Sequence, residues 1–280
     1  MDVVVFSAVL AAAALHAGWN AVVKVGLDRF SSILLLALVQ SALSLALLPF
    51  FPLPAAAAWP WIAASALLHA GYKIFLIRAY EHGDLSQVYP LARGTAPLLV
   101  AIVSVLFLGE VTTLGKALAV VAIGLGVVVM SLRGGAGIAG IAPKALAYAM
   151  GTAAFTASYT LVDGLGARVS GTASGFTLWM FVGDGLCMVV YALATRGRRA
   201  FAALLPAWRS GLAAGAMSLG SYWIAIWAFT QAPIALVAAL RETSVLFAML
   251  IAVLVLKERA GAWRWIGSAL ILGGVVLIRL

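Results

Sequence analysis

The chain has 280 residues, of which 65% are hydrophobic and 10% are charged, and its formal net charge is +9. A soluble domain cannot hide that much apolar surface, so lipid must surround most of the chain. Short connections between the apolar stretches exclude a soluble catalytic unit or a nucleotide-binding domain. The single cysteine, Cys187, excludes a disulfide within the chain and a zinc cluster.

Ten apolar stretches of roughly 20 residues follow one another, each about long enough to cross a hydrocarbon core as a helix. The first begins without a positive charge and is longer than the apolar part of a signal peptide, so we expect it to be a span. The sequence predicts an all-α integral membrane protein with ten transmembrane helices. They are expected near residues 3–24, 31–50, 58–80, 86–108, 113–132, 145–163, 172–194, 208–229, 234–256 and 261–279.

The second half of the chain repeats the first at an offset of about 148 residues. The segment around Arg93 matches the segment around Arg241, and each is followed by an apolar run that ends in a glutamate, Glu110 or Glu258. An apolar chain that is duplicated, with polar groups at matching depths, is typical of secondary transporters. The repeat therefore indicates a function as well as an ancestry.

Each repeat contains five predicted spans, residues 1–133 in the first and 141–280 in the second. Five is an odd number, so the two repeats must enter the membrane in opposite directions. Equivalent loops then lie on opposite sides, and in all four comparisons the odd-numbered loop carries more basic residues. The positive-inside rule places those loops in the cytoplasm and both termini outside. The same rule explains the excess of positive charge without a nucleic-acid partner.

Two arginines, Arg93 and Arg241, each lie about seven residues into a span and therefore close to the membrane midplane. A charge at that depth costs at least about 2.5–3.5 kcal/mol and usually faces a cavity. A pair of arginines there can clamp a carboxylate through its fork of donors. In the alternative, Arg241 pairs locally and Arg93 bonds helix carbonyls.

The predicted membrane-embedded acids are Glu242 and Asp184. Asp184 lies in the middle of span seven, where it can bind a substrate amine, carry a proton or neutralise one of the arginines. Asp163 ends the predicted sixth span, so we expect it at the membrane interface.

Two histidines, His16 and His69, lie well inside spans one and three. Hydrogen-bonded core positions are the simplest interpretation, and proton coupling is the alternative because histidine titrates near neutral pH. Neither has a cysteine or an acid at ligand spacing, so we expect no metal site and no cofactor.

Aromatic side chains with polar tips gather at comparable depths and favour a cavity for an amphipathic or aromatic solute, with a packed core as the alternative. The candidate substrate-binding residues are Trp19, Asn20, His69, Tyr72, Tyr89, Arg93, Tyr159, Trp179, Asp184, Tyr222, Trp223, Trp227, Arg241 and Glu242.

Small residues and prolines indicate how the spans pack. Six glycines permit close helix crossings, namely Gly71 and Gly94 in spans three and four and Gly124, Gly126, Gly273 and Gly274 in spans five and ten. Three prolines, Pro90, Pro97 and Pro233, allow kinks that free backbone carbonyls near a cavity.

Two segments, from Ala96 to Glu110 and from Val253 to Glu258, occupy matching places in the two repeats, and each is followed by a Gly-Val-Val sequence. In these motifs the chain resembles the drug/metabolite transporter superfamily, and specifically its EamA-type ten-span members. Trp19-Asn20 fits the family's aromatic-plus-Asn pattern in the first span. The resemblance covers nearly the whole chain and implies export of small metabolites, commonly amino acids, through a central cavity.

Within that superfamily, the length and the aromatic residues look most like the YddG-type exporters of aromatic and other neutral amino acids. Two features depart from relatives. Small multidrug members exchange protons through a glutamate in the first span, which this chain lacks, so their antiport mechanism is not carried over. Many ten-span members keep their termini inside, whereas the loop charges here favour outside.

The predicted protein is an inner-membrane exporter that works by alternating access, as a monomer, with a small-molecule substrate and membrane lipid as its partners. One rival is a multidrug or cationic-compound exporter, which unpaired Asp184 and Glu242 would favour. A remote rival is an intramembrane lipid-modifying enzyme that uses His16, His69 and Asp184. Selectivity is expected where the repeats differ, at Tyr72 against Ser221, Lys73 against Tyr222 and Gly94 against Glu242.

Overall fold

The computed structural model describes residues 1–23, 27–82, 85–110, 113–131, 142–255, 257 and 261–279, with the backbone alone at residues 23, 80, 85–92, 131 and 255. Within these ranges the regular structure is entirely helical. The long helices are α1 Val3–Val23, α2 Arg29–Leu47, α3 Trp59–His82, α4 Leu85–Phe107, α5 Leu114–Ser131, α6 Pro143–Ser170, α7 Ala173–Arg196, α8 Trp208–Gln231, α9 in two halves (α9a Ile234–Arg241 and α9b Ser244–Leu250) and α10 Ala262–Arg279.

The predicted fold, ten transmembrane helices in two inverted repeats of five, is confirmed. Seven helical segments among the described residues are long and apolar enough to cross a membrane, and two shorter apolar helices lie in α4 and α5. The least apolar of the long helices is α6. The predicted boundary between the repeats, residues 134–140, lies outside the described residues.

Alternate connections meet at the same end of the bundle, as the antiparallel order requires. At one end, called here the terminal end, the Ala55 amide donates to the Ser170 carbonyl (3.0 Å). The Arg279 guanidinium donates to the Met1 carbonyl at the same end (3.1 Å). The connections after α2 and α6 therefore lie beside both termini.

At the opposite end of the bundle, called here the basic end, Asp28 caps α2 and links it to the end of α7. Its carboxylate accepts from the backbone of Phe30 (3.1 Å) and Ser31 (3.3 Å) and from Arg196 at the end of α7 (3.1 Å). Partial burial acts to raise the pKa of Asp28, but the bonds from Ser31 and Arg196 outweigh it and lower the pKa. This capped ion pair stabilises the start of α2.

Glycines bring the last helices of the two repeats into backbone contact, since α5 packs along α10. A Cβ added to Gly126 would lie 2.8 Å from the Gly267 carbonyl oxygen, and one added to Gly274 would lie 2.7 Å from the Ala119 oxygen. The predicted close approach is confirmed at both positions. At Gly273 it is wrong, because a Cβ there meets nothing within 4 Å.

Close approach is confirmed in the first repeat too. Added Cβ atoms at Gly71 and Gly94 would collide with Phe155 and Val128, respectively, and one at Gly124 would lie 3.0 Å from Leu98. These contacts hold α3 against α6 and α4 against α5.

Helix α9 is interrupted, but at a place that the prolines do not mark. Pro233 caps the start of α9a, and α4 runs through Pro97 as one continuous helix. The break falls at Glu242 and Thr243, whose amides bond the carbonyls of Ala239 (3.0 Å) and Leu240 (3.1 Å). Every residue from Ile234 to Leu240 is buried, so the interruption lies inside the bundle.

Candidate functional site

A cavity lies beside the break in α9 and encloses about 580 Å³ together with its open mouth. Five helices, α1, α3, α4, α6 and α9, contribute to its wall, so both repeats line it. The lining residues are His16, Tyr72, Leu76, Arg93, Ala96, Pro97, Val100, Thr152, Thr156, Tyr159, Thr160, Ala238, Arg241 and Glu242. Sites of this kind, at the junction of two repeats and next to a discontinuous helix, are typical of secondary transporters.

Arg93 and Glu242 form a two-pronged ion pair across the repeats. Arg93 Nε donates to Glu242 Oε2 (2.9 Å) and Nη2 donates to Oε1 (3.0 Å), and Nη2 also reaches Ser244 Oγ (3.1 Å). The side chains are only 16% and 10% exposed. Glu242 lies at the break in α9, so this pair fixes the junction of α9a and α9b against α4.

His16 completes this cluster from α1. Its Nε2 lies 2.5 Å from Arg93 Nη1. A guanidinium has donors and no acceptor, so Nε2 must accept and therefore carries no proton. This contact requires a neutral imidazole with its proton on Nδ1. The Asn20 amide in turn donates to the His16 carbonyl (2.8 Å) and the Trp19 ring packs edge-on against the imidazole, 5.1 Å between centroids.

Arg241 has a different environment from Arg93. Its guanidinium carbon lies 4.7 Å from the ring centroid of Tyr222, a cation–π arrangement. The structure gives it no acidic partner among the described residues, whereas Arg93 is held by Glu242. The predicted pair of equivalent arginines is therefore two unlike groups, one neutralised and one facing the cavity over an aromatic ring.

Asp163 is the centre of a buried hydrogen-bond cluster beneath the cavity. It accepts from Ser65, from Tyr222 and, at 3.0 Å, from His69 Nε2. The prediction that Asp163 lies at the interface is wrong, because α6 continues seven residues beyond it to Ser170 and the side chain is fully buried. Three helices, α3, α6 and α8, are thus joined through one carboxylate.

The cluster reaches the cavity through two aromatic rings. His69 stacks on Tyr159, which lines the cavity, with 4.0 Å between centroids. Tyr222 lies under Arg241 and donates to Asp163. Asp163 therefore holds the two rings that pack directly against the lining residues Tyr159 and Arg241, without lining the cavity itself.

A second buried ion pair joins Lys73 on α3 to Asp184 on α7. Lys73 is 5% exposed and Asp184 is fully buried. The alternative in which Asp184 neutralises Arg93 or Arg241 is wrong, because the carboxylate of Asp184 is paired with Lys73 instead. The structure places both members of the pair outside the lining of the cavity.

Three threonines on α6, called here the threonine row, belong to the site but are absent from the candidates that the sequence suggests. Thr152, Thr156 and Thr160 recur every four residues on α6 and all line the cavity. Each hydroxyl donates to the carbonyl four residues earlier, at 2.7, 2.8 and 2.7 Å, respectively. The regular spacing is visible in the sequence, although threonine at such spacing is ordinary on any helix.

The structure brings together some of the predicted residues and separates others. Tyr72, Arg93, Tyr159, Arg241 and Glu242 line the cavity. Tyr89 has its side chain outside the described residues. The structure places the remaining candidates outside the lining, where they support it or pack elsewhere: Trp19, Asn20, His69, Trp179, Asp184, Tyr222, Trp223 and Trp227.

Two of the tryptophans pack near the terminal end. Trp179 meets Trp59 edge-on, with 5.1 Å between centroids. Trp223 donates to Ser174 Oγ (3.0 Å) and meets Phe51 edge-on. Both belong to the closed region between α2, α3, α7 and α8 and not to the cavity wall.

A polar network closes the terminal end above α9a. Arg168 donates to the carbonyls of Phe229 (2.9 Å) and Ala232 (3.0 Å) and to Glu110 (3.1 Å). Glu110 also accepts from the first amide of α9a, that of Ile234 (3.1 Å). Glu110, which marks the repeat in the sequence, therefore caps the first half of the broken helix.

Comparisons with known proteins agree with this architecture. The model of the EamA-like transporter family matches the chain twice, over residues 4–132 and 143–280. No curated protein sequence matches the chain. A solved structure described only as the crystal structure of a protein has 15% sequence identity and a TM-score of 0.72 over 98% of this chain and 95% of its own, which shows a shared fold. With the family model covering both halves, the chain belongs to the EamA-like transporter family.

Proposed function

We propose that this family member exports small metabolites, and specifically neutral or aromatic amino acids, from the cytoplasm across a bacterial inner membrane. The cavity beside the break in α9 is the proposed substrate site. Its position between the two repeats supports alternating access, in which each repeat opens toward one side of the membrane. Both repeats are present in one chain, so a monomer suffices.

The charge of the cavity is the observation that carries this proposal. Glu242 is bonded to Arg93, and Asp184, outside the lining, is bonded to Lys73. Arg241 lines the cavity without an acidic partner among the described residues. A net positive cavity attracts a carboxylate and repels an organic cation, so it disfavours the cationic-compound exporter.

The walls support a solute with a neutral side chain. Tyr72 and Tyr159 meet edge-on, with 5.6 Å between centroids, and both line the cavity. Aromatic rings stabilise apolar and aromatic groups by packing against them. Leu76, Pro97 and Val100 add apolar surface.

The groups that the enzyme hypothesis requires do not converge. His16 bonds Arg93, His69 bonds Asp163 and Asp184 bonds Lys73. Each histidine and acid therefore has its own structural partner on another helix, which favours transport over chemistry at this site.

The experiment is solute counterflow into proteoliposomes that contain the purified protein. We expect accumulation of radiolabelled phenylalanine, leucine or another neutral amino acid in liposomes preloaded with the same unlabelled solute. Quaternary organic cations such as tetramethylammonium, which have no N–H donor and cross a bilayer poorly unaided, should neither accumulate nor compete. Accumulation of the cation alone would overturn the proposal, and liposomes with an Arg241→Gln variant serve as the matched control.

A further inference from the structure

We propose that the cavity binds the two charged ends of a zwitterionic solute at separate places, the carboxylate at Arg241 and the ammonium at the threonine row of Thr152, Thr156 and Thr160. This inference rests on the proposed function and adds the chemistry by which the substrate is oriented.

The two arginines differ in their engaged donors. Arg93 uses Nε, Nη1 and Nη2 on Glu242, His16 and Ser244. The guanidinium carbon of Arg241 lies 4.7 Å over the ring centroid of Tyr222, and among the described residues no hydrogen bond engages its N–H groups, so they are able to donate. A carboxylate accepts two parallel N–H bonds from such an edge. Arg241 is therefore the carboxylate anchor.

The ring beneath Arg241 is itself held in place. Tyr222 is 7% exposed and its hydroxyl donates to the buried carboxylate of Asp163. Because Asp163 also bonds Ser65 and His69, the platform under the guanidinium is fixed from three helices. A fixed platform lowers the entropic cost of placing the carboxylate.

The threonine row has the opposite hydrogen-bonding character. A hydroxyl has one proton, and in Thr152, Thr156 and Thr160 that proton is donated to a carbonyl of α6. The oxygens can then only accept, so together they form an acceptor surface in the cavity wall. An ammonium has three donors and no acceptor, and it matches such a surface; a carboxylate does not.

Tyr159 lines the same cavity as the two anchors. It is 8% exposed and stacked on His69, so its ring has little freedom. The side chain of a bound amino acid meets this ring and Tyr72, while its charged ends reach Arg241 and the threonine row. The arrangement distinguishes an α-amino acid from a simple amine and from a simple carboxylic acid.

The test measures how three solutes compete with labelled phenylalanine in proteoliposomes. They are unlabelled phenylalanine, phenethylamine, which lacks the carboxylate, and N-acetylphenylalanine, which lacks the ammonium. The variants are Arg241→Gln and Thr156→Val, the second of which keeps the shape of the side chain and removes its oxygen. Matched controls are Arg78→Gln at the exposed end of α3 and Thr195→Val, whose hydroxyl makes the same i−4 bond on α7.

The two anchors predict crossed effects. Arg241→Gln should weaken phenylalanine by about tenfold or more, the usual effect of losing a charge-assisted hydrogen bond, and should not weaken phenethylamine, because the charge that is lost repels an amine. Thr156→Val should weaken phenylalanine by about three- to tenfold and leave N-acetylphenylalanine unchanged. Both controls should match the wild type, and size-exclusion profiles show that each variant is folded.

Three outcomes overturn the inference while the proposed function stands. In the first, phenylalanine is transported, but Arg241→Gln weakens phenethylamine as much as phenylalanine and Thr156→Val weakens N-acetylphenylalanine as much as phenylalanine. In the second, neither variant changes the binding of phenylalanine. In the third, neither analogue competes in the wild type. If the wild type transports no amino acid at all, the proposed function itself fails.

Discussion

Removing both partners of the Arg93–Glu242 pair is expected to cost clearly less than the sum of the losses from removing each partner alone. Glu242→Gln deletes the charge that two Arg93 donors bond at 2.9 and 3.0 Å, in a site where the side chains are 16% and 10% exposed. Leaving a buried charge without its partner costs about 3–5 kcal/mol. Ser244 still accepts a hydrogen bond from Arg93, so we expect the lower end of this range, about 3 kcal/mol.

The assay is equilibrium unfolding in mixed micelles, with SDS as the denaturant and Trp fluorescence as the signal. Arg93→Met and Glu242→Gln are measured alone and together. The double variant should recover about 2 kcal/mol of the summed losses, because it leaves no unpaired charge.

The exposed pair Arg78–Glu81, with side chains 45% and 42% exposed, is the control for the method. Its coupling energy should not exceed about 0.5 kcal/mol. Losses that simply add in the Arg93–Glu242 double variant would refute the reasoning, since they would mean that the two charges do not sense each other.

Three further changes test other parts of the fold. Gly126→Ala should cost about 1–3 kcal/mol in the same unfolding assay by forcing α5 from α10, whereas Gly273→Ala, with open space around it, should be neutral or stabilising; equal effects would contradict the packing. Asp163→Ala should lower stability by about 3 kcal/mol and reduce phenylalanine counterflow, since three buried donors lose their acceptor; an unchanged midpoint would contradict the cluster. Asp28→Ala should cost about 1 kcal/mol by removing the cap of α2. Because folding lowers the pKa of Asp28, its contribution to the free energy of unfolding is present above the ordinary aspartate pKa and declines as the pH falls through the lowered value. The difference in stability between the wild type and Asp28→Ala should therefore shrink in acid.

The positions of the helices follow closely from the sequence, because the bilayer allows few backbone structures. An apolar run of about 20 residues has no stable alternative to a helix in lipid, and ten such runs give the ten observed helices.

The pairings within the bundle do not follow from the sequence. Arg93 and Glu242 are 149 residues apart, and Lys73 and Asp184 are 111 apart, so only the packed helices decide which charges meet. The end of α6 is missed because Arg168 and its neighbours read as a loop. Arg168 instead donates to the carbonyls of Phe229 and Ala232 at the end of α8, and α6 continues as a helix to Ser170.

The break in α9 is the clearest case of a feature without a local signal. Neither glycine nor proline occurs at Glu242 or Thr243, and the equivalent position in the first repeat, Gly94, lies within a continuous helix. Tertiary contacts supply the cause, since Arg93 bonds Glu242 and Ser244 on both sides of the interruption. The repeats thus differ at Gly94 and Glu242, of which Glu242 lines the cavity. That selectivity lies at the unlike pairs stays a prediction.

Substrate protection of a cysteine inside the cavity tests the central claim most directly. Ala238 lines the cavity, and Cys187 can be replaced by Ser to give a background without thiols. In Ala238→Cys, a membrane-permeant maleimide should react, and saturating phenylalanine should slow that reaction at least tenfold. A variant that still transports phenylalanine, yet reacts at the same rate with and without it, would show that the substrate does not occupy this cavity.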